Sequence, residues 1–433
     1  MGCTKILSAA VGTLAVIAMH LTLATGAQGA DTERVLHDFN FTNGNVPEAG
    51  VIFDAAGNLY GTTQNGGINC NGQGCGLIFK LTPGAKGKWT ETVLHRFNGN
   101  DGFYPTSILI LDAAGNLYGT TQGGGLYGGG TVFRLTLGAN GKWSERVLHS
   151  FGGPDDGTTP FAGVTFDSAG NLYGTTHSGG IPSDCPAQQG CGVVFKLTPG
   201  TKGQWTETVL YRFKGDDGAN STAGVTFDAA GNLYGTTESG GDYRSCLYGC
   251  GTAFELTPRR KGKWAETVLH KFTAGSDGAF PFAALIFDPA GNLYGTAVEG
   301  GDANCYSGGC GVVFKLTRGG KGGWKETVLY SFSQISEGNG PVLLICDTSG
   351  NLYGATSFGD GYGNVYKLTP NATGGWSETV LFSFNGGSSG WSPTGLIVDT
   401  QGNLYGTTAA GGNPKSRGCQ GDNGCGLVFE LVP

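Results

Sequence analysis

Past Leu23 the sequence holds no second run of eighteen apolar residues, so nothing beyond the N-terminus is built to cross a bilayer as a helix. Positive charge is also scarce: 26 Lys and Arg stand against 33 Asp and Glu, a net charge of −7. A phosphate backbone is neutralised by an excess of Lys and Arg, so the acidic balance argues against nucleic acid as a partner. Several short signatures of catalysis are missing. There is no His-Glu-x-x-His, no phosphate-cradling glycine loop and no EF-hand loop.

What the first thirty residues do contain is Lys5, an apolar run from Ile6 to about Leu23, and a stretch of mostly small residues from Ala24 to Ala30. This is the pattern of a secretory signal peptide, with cleavage expected between Gly26 and Ala30. Residues 1–30 are therefore set apart. The remaining chain is expected to be secreted, or held at the cell surface or in the periplasm. It keeps 25 basic and 33 acidic residues, an excess that serves solubility.

From residue 31 onward one stretch governs the rest. Phe53-Asp54-Ala55-Ala56-Gly57-Asn58-Leu59-Tyr60-Gly61-Thr62-Thr63 returns in near-copies at Asp112, Asp167, Asp228, Asp288, Asp347 and Asp399, 52 to 61 residues apart. Seven copies at that period make a repeat protein built from four-stranded units. The 83 glycines recur at fixed repeat positions, so they mark turns and close strand approach and not disorder.

Each unit reads as strands A to D. Gly50 to Phe53 is a short apolar run ended by Asp-x-x-Gly-Asn, the chemistry of a tight hairpin turn. Strand A, apolar at successive positions, is expected to be buried on both faces. Strand B spans Asn58 to Thr63, and its invariant Gly61 implies a ring or backbone packed against it. Strand C runs from Gly76 to Thr82, and strand D from Trp89 to Phe97.

The ends decide between an open array and a ring. Asp31 to Phe39 reads as a strand D, while Leu427 to Pro433 reads as a strand C without its D. The first segment fits the gap left by the last, which removes the exposed edges of an open array. The expected fold is all-β: a seven-bladed β-propeller with four antiparallel strands per blade, its final blade closed by the N-terminal strand. Residues 31–433 form one domain.

Ten of the twelve cysteines fall into local pairs, Cys70/Cys75, Cys185/Cys191, Cys246/Cys250, Cys305/Cys310 and Cys419/Cys425, each between a Gly-Gly and strand C. Blades 2 and 6 lack both members and have shorter loops. Cysteines absent two at a time, in an exported chain, point to disulfides. Zinc is the rival, but no pair has a second Cys or His pair in its own loop. Closing such small loops stabilises the fold weakly, by about 2 kcal/mol each, so the expected job of the bridges is to stiffen loop tips.

Candidate chemistry is sparse. His37, His95, His149 and His270 share one strand D position, which holds Tyr211, Tyr330 and Phe382 in the other blades, so a flat ring is what that position packs. Only His177 stands outside the pattern, with no evident partner. The strand D glutamates, Glu33, Glu91, Glu145, Glu207, Glu266, Glu326 and Glu378, occur in every blade and are expected to pair across strands with Lys80 and its counterparts on strand C.

The D-to-A and B-to-C loops share one face of the ring. There Asp101, Asp156, Asp217, Asp277 and Glu337 each precede a Gly, and Phe103, Tyr104, Phe161, Phe280, Phe282 and Trp391 are interleaved with them. Turn chemistry accounts for the acids. Aromatics on loops have no core to demand them, which makes Phe103, Tyr104, Asp156, Phe161, Asp217, Asp277, Phe280, Phe282 and Trp391 the candidate ligand-binding set. The expected partner is a polysaccharide or a cell-envelope or extracellular protein, bound by a monomer without catalysis. No cofactor is called for; the Asp-Gly rim would admit calcium, though one carboxylate per blade is thin for a six-to-eight-oxygen site. The alternative is a propeller hydrolase or lyase with a carboxylate-held divalent metal in the channel.

Asp-x-x-Gly-Asn-Leu-Tyr after an apolar strand resembles the blade turn of NHL-type propellers, streptogramin lyases and gluconolactonases. The longer pattern resembles more specifically the tandem repeat of the bacterial GloVer-containing family: Gly-Asn-Leu-Tyr-Gly-Thr-Thr, then Gly-Gly, then Val-Phe-Lys-Leu-Thr-Pro, then Trp-x-Glu-x-Val-Leu-His-x-Phe. It covers residues 31–433 and implies an exported bacterial propeller, with no established activity or catalytic residues to transfer. Members of that family are often described as carrying a C-terminal anchor, and this sequence departs from that pattern by ending at Pro433, directly on strand C, so the resemblance alone does not imply surface anchoring.

Overall fold

The computed structural model describes residues 32–432 except 68–69, 71, 154, 182, 184, 186–189, 302–304, 306–307, 334–336, 359–360, 414–418 and 420–423. The expected signal peptide lies outside these residues. Seven four-stranded antiparallel blades form a β-propeller. Blade 1 comprises Ile52–Phe53, Leu59–Thr63, Leu77–Pro83 and Trp89–Arg96 as strands A to D. Its pattern repeats through blade 7, whose strands are Trp391–Val398, Leu404–Ala410 and Leu427–Val432. Thr32–Asp38 supplies the missing strand D, pairing antiparallel with strand C so that Val35 faces Phe429.

The hairpin turn explains the repeated Asp. Asp54 Oδ1 accepts from the backbone N–H groups of Ala56 and Asn58, each at 2.9 Å, while Oδ2 accepts from Asn58 Nδ2 at 2.7 Å and Tyr60 Oη at 3.0 Å. Gly57 turns the chain at φ +81°. Burial alone would raise the Asp54 pKa, but these four donors outweigh it and hold the carboxyl below its ordinary value.

Blades adhere through aromatic and aliphatic side chains. Phe97, at the end of strand D, meets Phe133 of blade 2 edge-on with centroids 5.2 Å apart, and Phe39 meets Phe79 likewise at 5.0 Å. Strand A packs on both sides as expected: Val51 belongs to the core between blades 7 and 1, and Ile52 to the core between blades 1 and 2. Gly61 is explained by a ring. A Cβ there would stand 2.6 Å from Phe79 Cζ, so only Gly lets strand B lie against it.

The expected pairing of strand D glutamates with strand C lysines is corrected by the register. Glu91 sits opposite Leu81, and Lys80 opposite Thr92. A one-residue offset places side chains on opposite faces of a sheet. Lys80 instead lies over the Tyr60 ring, 5.6 Å from its centroid.

All five cysteine pairs are disulfides, Cys70–Cys75, Cys185–Cys191, Cys246–Cys250, Cys305–Cys310 and Cys419–Cys425, with Cα atoms 5.1 to 5.3 Å apart. Their expected place at loop tips is corrected. The second member of each pair, Cys75, Cys191, Cys250, Cys310 or Cys425, is fully buried and belongs to the hydrophobic core between two blades. The reason is position: each stands directly before the Gly that leads into strand C, where the chain enters the sheet. Each bridge therefore fastens its loop to the interior, and its inner sulfur packs as a small apolar group closed to any ligand.

Candidate binding face and interblade seams

The D–A and B–C loops lie on one side of the ring and are stitched together across blades. Val46, Tyr104, Thr159, Asn220, Phe280, Gly340 and Ser392 occupy equivalent places with φ between +55° and +64°. Each donates its N–H to a carbonyl of the preceding blade at 2.7 to 3.0 Å. In five of the seven the acceptor is the buried cysteine: Cys425 for Val46, Cys75 for Tyr104, Cys191 for Asn220, Cys250 for Phe280 and Cys310 for Gly340. Non-glycine residues rarely adopt this conformation, and here an interblade hydrogen bond holds it. In six blades the next residue is Pro, whose ring lies against a Gly of the neighbouring blade, as Pro105 does at Gly76.

The loop acids turn away from open solvent toward the seams between blades. His95 Nε2 lies 3.1 Å from Asp101 Oδ2, and Glu145 of the next blade converges on them, all three offering atoms within 4.8 Å of one another. His149, Asp156 and Glu207 repeat the cluster one seam later. Asp217 accepts from Tyr211 Oη at 2.5 Å, and Asp277 pairs with His270 at 3.0 Å and with Thr273 Oγ1 at 2.6 Å. Where the loop carries Asn43, its amide bridges His37 Nε2 at 3.1 Å and Glu91 Oε2 at 3.3 Å.

The seam glutamates feel this crowding. Burial first and Asp101 second push Glu145 up to about 8. Glu207 is raised to about 7 by burial and then Asp156, with His149 and Arg212 opposing. Glu33 is raised to about 8 by burial and Asp38, and Glu378 to about 7 by burial and Glu337. His37, without a carboxylate partner, is lowered to about 4 by burial. The shared histidine position does pack a ring, as His95 does edge-on against Phe97 at 4.9 Å, but it also serves the seam.

The aromatics of the candidate set are distributed unevenly. Phe103 is half-buried over Gly123 and meets Tyr104 edge-on at 4.9 Å. Phe161 packs against His177 at 5.1 Å; His177, which looked unpartnered in sequence, also has Ser178 Oγ 2.9 Å from Nδ1. Phe280 is half-buried, Phe282 is exposed, and Trp391 meets Tyr362 edge-on at 6.1 Å. Asp156, Asp217 and Asp277 belong to three different seams, so the structure does not gather the nine into one cluster.

Sequence reasoning missed the most exposed residues. Among the described residues, nine large hydrophobic side chains stand open to solvent, and seven of them lie on these loops: Leu126, Tyr127, Ile181, Leu247, Tyr248, Phe282 and Tyr362. Leu126 and Leu247 are 77% and 84% exposed. The signal was present in the repeated Leu-Tyr-Gly of the B–C loops of blades 2 and 4. On the opposite face a groove of 440 Å³ opens between blades 3 and 4, lined by Asp167, Tyr173, Phe227 and Trp264 among others. Those positions recur in other blades, so the groove follows from blade geometry.

The sequence profile of the Gloeobacter/Verrucomicrobia repeat matches residues 20–242 and 72–310, and the chain belongs to that family. No curated protein matches it. Among solved structures it is similar to PorZ, an essential bacterial surface component of the type-IX secretion system of Porphyromonas gingivalis, with a TM-score of 0.50 and 15% identity over 92% of this chain and 48% of that one. It is also similar to the extracellular domain of a protein described as a hybrid two-component system of B. thetaiotaomicron, with a TM-score of 0.50 and 12% identity over 93% and 41% of the two chains. A gluconolactonase of Xanthomonas campestris gives a TM-score of 0.41 at 11% identity, covering 93% of this chain and 90% of that one. The chain thus spans less than half of the first two. At these identities the likeness is one of fold.

Proposed function

We propose that the protein is an exported, non-catalytic binding module that docks a cell-envelope or extracellular protein on its loop face. The observation that carries this reading is the concentration of exposed large apolar side chains there. Scattered apolar residues are ordinary on a surface, but a one-sided collection centred on Leu and Tyr is the composition of a protein interface. Leucine offers no flat face for a sugar ring, and the loop carboxylates that would accept sugar hydroxyls are engaged in the seams. Disulfides hold two of the loops that carry these residues, Cys185–Cys191 in the loop of Ile181 and Cys246–Cys250 around Leu247 and Tyr248, which lowers the ordering cost of binding.

One feature favours a second reading, polysaccharide binding. Trp391 and Tyr362 form an aromatic pair on the same face as the exposed Phe282, and flat rings suit sugars. A comparison of the wild type with Leu126→Ser/Tyr127→Ser/Leu247→Ser/Tyr248→Ser as bait for solubilised envelope proteins separates the two. Capture of a defined protein by the wild type alone is expected. Saturable polysaccharide binding that the quadruple variant retains and Trp391→Ala loses would replace the protein partner with a glycan.

A further inference from the structure

We propose that two interblade seams, His95–Asp101–Glu145 and His149–Asp156–Glu207, each bind one divalent transition-metal ion of the zinc type. This is independent of the docking face. In each seam one imidazole nitrogen and two carboxylates from adjacent blades converge with their donor atoms within 4.8 Å of one another. A zinc ion held at about 2.0–2.2 Å from each ligand needs donors roughly 3–4 Å apart, a spread that side-chain rotation closes. All three residues are half-buried, which leaves a fourth position open to water. One imidazole with two carboxylates makes a neutral site for a divalent cation, and nitrogen in the set favours zinc, cobalt or nickel over calcium.

The chain contains its own comparison. In the seam with Asn43, an amide N–H bridges the imidazole of His37 and the carboxylate of Glu91. Replacing that amide by Asp101 or Asp156 removes the donors and sets two carboxyl groups against each other. A positive group between them restores the bridge, and the neighbouring imidazole makes it a metal site. The seams with Tyr211 and Tyr330 lack the nitrogen, and in the seam of His270 and Asp277, whose carboxylate also accepts from Thr273, Glu326 does not come within the same 4.8 Å, so all three fall outside the proposal. The buried Oε1 of Glu145 and Glu207 has no hydrogen-bond partner, but the same holds for the strand D glutamate of every blade, so it is not what singles these seams out.

The test is zinc titration of the chelator-treated, oxidised protein by calorimetry, with cobalt absorption as a second readout of nitrogen and oxygen ligation. Asp101→Asn and Asp156→Asn copy the native Asn43 seam, so the variants are expected to fold, as unchanged circular dichroism would verify. Two equivalents of zinc should bind the wild type, one either single variant and none the double variant. Stoichiometric uptake that persists in the double variant overturns the assignment. So does the absence of saturable uptake by the wild type, which would mean that a proton bridges the carboxyl pair.

Discussion

Replacing Glu266 by Gln probes the seams electrostatically where no metal site is proposed. Glu266 on strand D of blade 4 is half-buried against blade 3; burial first and Asp217 second raise its carboxyl from 4.5 to about 7, with Lys271 opposing. A carboxyl with a folded pKa above its unfolded value holds its proton more tightly in the folded state. Its contribution is complete below about 4.5 and is lost as the pH rises through about 7. The difference between 4.5 and 7 corresponds at full strength to roughly 3 kcal/mol, and solvent at the half-open seam reduces this to about 1 kcal/mol. Glutamine forms no charge, so the variant should gain about 1 kcal/mol on the wild type between about pH 5 and pH 8. Thermal unfolding at both pH values would show this as a melting temperature raised by about 2 °C at the higher pH alone. A difference between the two proteins that does not change with pH would refute a charge-based account of the seam.

Other consequences follow from packing. Gly61→Ala forces a methyl group into Phe79 and should cost about 1–3 kcal/mol in urea unfolding; an unchanged midpoint would mean that strand B has room to shift. Phe97→Ala empties an interblade site buried to 1% exposure, with an expected loss of about 3–5 kcal/mol by the same assay. Deleting residues 31–38 leaves strand C of blade 7 with an open edge, and light scattering should reveal association that the intact chain does not show. A monomeric deletion variant with unchanged melting would contradict closure by that strand.

The fold was legible because one repeat supplies the same evidence seven times: the turn Asp with its Asn and Tyr, the strand B Gly, and the complementary ends. The seams were not legible, for two physical reasons. The register shift between Ile78 and Phe79 sets which strand D residue faces which strand C residue, and the sequence carries no mark of it. The partners of Glu145 lie a full blade upstream, at His95 and Asp101, so spacing within a repeat pairs Glu with Lys instead. The disulfide pairing could be read from cysteines lost in twos, but not the depth of Cys191, Cys310 and Cys425, which depends on the blade packed beside them. Loop aromatics could be noted as unneeded by the core, but only the structure separates Phe103, folded over Gly123, from Tyr127 and Tyr248, which stand in solvent.

Closure by Thr32–Asp38 also sets an order of events. The strand that emerges first finds its hydrogen-bonding partner, Leu427–Val432, only when the last blade is in place. Until then its backbone donors and acceptors stay unmatched, and blade 7 cannot be completed by local contacts. Blades 1 to 6 can assemble as the chain is delivered, each from neighbouring strands, whereas the ring as a whole waits on the contact of greatest sequence separation. An interrupted chain would therefore be arrested as an open arc with a sticky end, and a finished one gains its resistance to unfolding in a single late step.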